Sequence, residues 1–78
     1  MADLKETLRN IAAAIVDSPD EVVIVCEETE TSINLTLSVA PEDMGMVIGK
    51  NGRIAKAIRT VMRAAANRGE QKVVVEID

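Results

Sequence analysis

The chain has 78 residues, a formal net charge of −4, one cysteine, and no histidine, tryptophan, tyrosine or phenylalanine. A chain of this length builds one domain with a thin stability margin, because too little surface remains to bury in a second core. The single Cys26 excludes an intrachain disulfide. The missing imidazole removes the commonest acid–base group and zinc ligand, and the missing rings remove the usual stacking platform for bases.

In chain order, Leu4, Leu8, Ile11 and Ile15 recur at helical spacing and form one apolar stripe. Asp3 is placed to cap this helix, with Glu6 three residues later, and Ser18-Pro19 ends it. Residues 22–28 are short and β-branched and read as a strand, with Cys26 expected as an inert core thiol. After the turn at Thr29-Glu30-Thr31, residues 32–39 alternate: Ile33, Leu35, Leu37 and Val39 face one way, and Ser32, Asn34, Thr36 and Ser38 the other. That pattern predicts a strand with one buried and one wet face, paired with its predecessor as a hairpin.

Pro41-Glu42-Asp43 opens a helix that must be short, since Gly45 and Gly49 follow. A longer helix begins after Gly52, with Ile54, Ile58, Val61, Met62 and Ala65 on one side and Arg53, Lys56, Arg59, Thr60 and Arg63 roughly opposite. Gly69, preceded by Arg68, is a natural helix stop. Residues 72–77 form a last strand. The order is α-β-β-α-α-β. A strand–helix–helix–strand crossover normally returns parallel, so the expected fold is α+β, with a three-stranded mixed sheet and three helices on one face.

The charge is divided unevenly. Residues 1–43 carry ten acids and two bases, whereas residues 44–78 carry three acids and seven bases; from Lys50 to Arg68 there are six bases and no acid. An anion meets the local field, because salt screens charge beyond about 8–10 Å. The alternative is that the two halves neutralise each other across the fold.

The stretch MVIGKNGR, residues 46–53, sets two glycines around Lys50 and Asn51. It is one residue short of a phosphate-binding P-loop and lacks the metal-holding hydroxyl. Its glycine spacing is wrong for a dinucleotide fingerprint, and a helix precedes it where a strand is required. Asn-Gly would suit a hairpin turn, but the following segment has a helical period. A helix–GxxG–helix turn that holds a nucleic-acid backbone remains, beside a ligand-free corner of the same shape. Glycine allows positive φ and close approach of a strand, and amides at the start of the next helix attract anions. Such a clamp is the mark of KH domains.

The string VIGKNGRIAKAIRTVMRAAA, residues 47–66, within this element order, resembles the small bacterial KH-domain proteins of the KhpA (YlqC) family over essentially the whole chain. The resemblance implies a single type II KH domain over residues 1–78, with its GxxG loop at 49–52. It implies an RNA-binding protein that forms homodimers or pairs with a larger KH protein of the KhpB (Jag) kind. It also implies roles in post-transcriptional regulation, as a small-RNA chaperone, and in cell shape through elongation and division.

On this reading about four nucleotides of single-stranded RNA lie beside the loop. Gly49, Lys50, Asn51 and Gly52 hold phosphates, and Arg53 and Lys56 add charge along the backbone. Bases pack on aliphatic side chains, with Met46, Val47, Ile48 and Ile54 as candidates together with Leu35 or Leu37; plain core is the other role open to each. No nucleophile–base pair, metal spacing or cofactor motif is found, so no enzyme is expected. The opening residues lack a basic leader segment, and no apolar run is long enough to span a bilayer, so a cytoplasmic protein is expected. The rival function is a protein-interaction module that keeps the fold without binding RNA.

Overall fold

The computed structural model describes residues 4–66 and 72–78. Helix α1 (Leu4–Ile15) leads through a single 3-10 turn at Pro19–Glu21 into β1 (Val23–Glu28) and β2 (Ser32–Ser38). A second 3-10 turn at Pro41–Asp43 opens α2 (Met44–Ile48), a third at Lys50–Gly52 joins it to α3 (Arg53–Ala65), and β3 (Lys72–Ile77) follows. The expected order of elements is observed. The cap at Asp3 and the stop at Arg68-Gly69 lie outside the described residues.

The sheet order is β1-β2-β3, with β1 antiparallel and β2–β3 parallel. Thr29 shapes the hairpin turn: its amide donates to the Ser32 carbonyl at 2.8 Å, and its hydroxyl accepts from the Ser32 amide at 2.9 Å. The register sets Ile24, Leu37 and Ile77 in one row and Cys26, Leu35 and Val75 in the next. This face meets Leu8 and Ala12 of α1, Val47 of α2, and Ile58 and Met62 of α3 in one continuous core. All three helices therefore cover the same side of a mixed sheet, in a two-layer α+β arrangement. Full burial of a Leu or Met side chain in such a layer stabilises the fold by about 1.5–3 kcal/mol. The serine, asparagine and threonine side of β2 faces away from the helices and is half-buried.

Cys26 departs from its expected core position. It shares the helix-side face with Leu35 and Val75 but is exposed. β1 is an edge strand, and of its six residues only Ile24 is buried. An inward-facing position on an edge strand is buried only where a helix reaches over it, and the helices cover Ile24 without covering Cys26.

Asp43 is also set differently from a simple helix-opening acid. It is buried, and its Oδ2 accepts from the Ser18 amide at 3.0 Å, tying the α1–β1 connection to the start of α2. Its Oδ1 has no hydrogen-bond partner among the described residues. The α2 start, and with it the loop that follows, is thereby anchored to a connection 25 residues earlier. Among the described residues no helix is long and apolar enough to cross a membrane.

Candidate nucleic-acid interface

Helices α2 and α3 pack against each other and are joined by four residues, so the chain must reverse sharply between them. Three of those four residues have positive φ: Gly49 at 73°, Asn51 at 58° and Gly52 at 73°. Gly49 combines its positive φ with ψ 175°, a region open essentially to glycine alone. Asn51 and Gly52 take the left-handed helical conformation, which asparagine tolerates better than most residues.

Space as well as torsion constrains Gly49. A Cβ built there would lie 2.8 Å from Cβ of Ile54 and 3.0 Å from its amide nitrogen. The first turn of α3 thus closes directly onto the glycine backbone. A Cβ on Gly52 would meet nothing within 4 Å, so that side of the loop is open.

The amide inventory is narrower than the sequence suggested. Gly49 N–H donates to the Gly45 carbonyl at 2.9 Å, and Gly52 N–H to the Gly49 carbonyl at 3.2 Å. Arg53 N–H donates to the Lys50 carbonyl. Three of the amides expected to face a ligand are therefore engaged within the turn. Among the described residues, the amides of Lys50 and Asn51 have no backbone acceptor. Successive free amides at the mouth of a left-handed turn form a small anion-binding concavity. The residue preceding α3 is Gly52, which has no side chain to cap the helix, so the positive end of the α3 dipole adds to the same place.

The side chains sort into three groups. Lys50, Asn51, Arg53 and Lys56 are exposed, and they bring three cations to the loop and the first turn of α3. Met46, Ile48 and Ile54 are exposed apolar residues at 41%, 40% and 38%, two at the end of α2 and one at the start of α3. Three large aliphatics beside a charged turn give bases an apolar surface in the absence of rings. Val47, Leu35 and Leu37 are fully buried core residues, which corrects their expected place in a groove. α2 presents alternate residues to opposite sides here, so Val47 points into the core between exposed Met46 and Ile48. Leu37 lies in the central strand under the helices, where no ligand can reach its side chain.

Two contributors escaped the sequence reading. Asp43 carries no motif, and only its burial reveals its anchoring role. Arg59, read there as either a nucleic-acid contact or a solubilising charge, is half-buried and donates from Nε to the Val75 carbonyl oxygen at 3.2 Å.

The turn and its surroundings have close counterparts in known proteins. The sequence profile of the KhpA/KhpB KH domain matches residues 5–77. The chain is 60% identical over 74 residues to RNA-binding protein KhpA of Clostridium acetobutylicum, covering 95% of this chain and 99% of that one. It is 57% identical to the protein of that name from Clostridium perfringens, with the same coverage. The identity is 50% to its namesake in Listeria monocytogenes, over 95% of this chain and 97% of the relative.

Proposed function

The chain belongs to the KhpA/KhpB family of KH domains, and on that premise we propose that it is an RNA-binding protein whose Gly49–Gly52 loop clamps a single strand. The relatives cited above carry RNA-binding names, and the family is not one of enzymes. The observation that carries the clamp is the left-handed turn that leaves the amides of Lys50 and Asn51 available within a basic run.

In this mechanism a phosphate sits over the Lys50 and Asn51 amides, with the Lys50 ammonium beside it. The bare backbone of Gly52 lets the sugar-phosphate chain approach without meeting a Cβ. Arg53 and Lys56 neutralise the next phosphates along α3, and the bases lie on Met46, Ile48 and Ile54. About four nucleotides fit such a loop. Phosphate contacts hold the strand without reading its sequence, so selectivity is weak and comes from how bases settle on the aliphatic surface.

The domain works in the cytoplasm, as a homodimer or with a larger KhpB-like partner, in post-transcriptional regulation connected with cell elongation and division. Apolar residues exposed away from the loop, Val61 on α3 and Val23 and Val25 on β1, support a protein partner of some kind. Two copies would place two loops on one RNA and raise the affinity by effective concentration.

The test is the double substitution Lys50→Asp with Asn51→Asp. Aspartate also tolerates the left-handed conformation at position 51, so the turn is kept while its charge is reversed. RNA retention in filter binding is expected to vanish while the circular dichroism spectrum stays unchanged. A folded double variant with undiminished RNA affinity refutes the clamp.

A further inference from the structure

A cavity of about 340 Å³ opens between α3 and β3 and has no part in the clamp. One wall is the strand from Lys72 to Glu76, and the other is formed by Arg59 and Arg63. At 3.6 residues per turn these arginines lie roughly 140–180° around α3 from Ile54 and Val61, so this is a different flank of the helix from the apolar one. The charged lining sets three cations against the single carboxylate of Glu76.

Arg59 is held in place rather than left mobile. Its bond to the Val75 carbonyl pins the guanidinium to the strand and uses one of its five donors. A cation already ordered in this way loses less entropy when an anion arrives. The cavity is also continuous in charge with the loop. Arg53, Lys56, Arg59 and Arg63 follow one another at spacings of three, three and four along α3. With a rise of about 1.5 Å per residue, that stripe carries positive charge roughly 15 Å from the loop to the cavity.

We infer that the cavity between α3 and β3 is a second phosphate-binding site, which takes the sugar-phosphate backbone of the RNA segment that leaves the Gly49–Gly52 loop along Arg53, Lys56 and Arg59. The inference rests on the clamp reading and extends it: the footprint on RNA is longer than four nucleotides, and the added contacts are electrostatic and indifferent to sequence. The unbroken cationic stripe from the loop favours a nucleic-acid strand over an acidic peptide, which would have no reason to follow the helix.

The test compares the wild-type chain with Arg63→Ala/Lys72→Ala. Both residues are exposed, and the substitution leaves the Arg59–Val75 bond in place. Binding of a 4-nucleotide and a 12-nucleotide single-stranded oligouridylate is measured by fluorescence anisotropy at several salt concentrations, with circular dichroism to confirm folding. The variant is expected to match the wild type on the short RNA and to lose roughly 20-fold on the long one at 0.1 M salt, with a log–log salt slope about 1.4 shallower. Equal binding of the long RNA by both proteins overturns the inference while the clamp stands. An equal loss on short and long RNA also overturns it, since the residues then act through the general field. A wild-type chain that binds neither RNA overturns the clamp and this site together. Shifts at Arg59 and Lys72 amides induced by a glutamate-rich peptide and not by the long RNA assign the cavity to a polypeptide and overturn the inference as well.

Discussion

The sheet–helix interior and the loop corner solve opposite problems with neighbouring residues. In the interior, Leu8, Leu35, Leu37, Val47 and Met62 are wholly buried and fill the space between one sheet face and three helices. One residue either side of Val47, Met46 and Ile48 are exposed at 41% and 40%, and the turn that follows spends three of its four residues in left-handed backbone. The interior gains stability from burial, whereas the corner gives up backbone comfort and apolar burial together. A small domain sustains such a corner because its strain is confined to a few residues, while the core and the buried Asp43 hold both flanking helices in place. Stability and binding are thus carried by separate sets of residues, and substitutions should separate them.

The largest effect is expected in the interior. Leu35→Ala removes a fully buried side chain from the central strand and should destabilise the domain by about 2–5 kcal/mol, read from the urea midpoint. In a chain of this size that loss takes most of the stability margin. A shift below about 1 kcal/mol would show that the layer repacks easily and would blur the contrast between the two regions.

The corner's own glycines come next, and they should differ. Gly49→Ala faces both a backbone region open only to glycine and a close approach of Ile54, so a loss of about 2–3 kcal/mol is expected, with RNA binding weakened as the turn shifts. Gly52→Ala meets open space and suffers only the left-handed penalty, about 1–2 kcal/mol. Thermal unfolding of the two variants side by side checks the order. Equal losses would mean that the Ile54 contact yields freely.

The smallest effect concerns Cys26. A maleimide should label this thiol in the native protein at a rate close to that in denaturant, with little change in the melting temperature. Protection in the folded state would place it back in the core and contradict the exposed edge strand.

Much of this was legible along the chain. The apolar stripe of α1, the alternation of β2, the short α2 and the basic run of α3 each follow from a local period, and a period depends only on backbone geometry. The GxxG motif, the resemblance that it anchors and the corner it builds are local for the same reason. What the periods could not decide was which apolar positions a neighbouring element would cover. Cys26 and Ile24 lie on one face of one strand, yet only Ile24 is under a helix. Val47 and Ile48 are adjacent, yet only Val47 reaches the core. Coverage is a property of packing between segments far apart in sequence. Partner choice is too: the Asp43–Ser18 and Arg59–Val75 bonds join positions 25 and 16 residues apart that carry no shared pattern. The identities of the residues determined the elements and the turn, while the meeting of α3 with β3, and of α2 with the α1–β1 connection, decided which amides, cations and apolar side chains remained for a ligand.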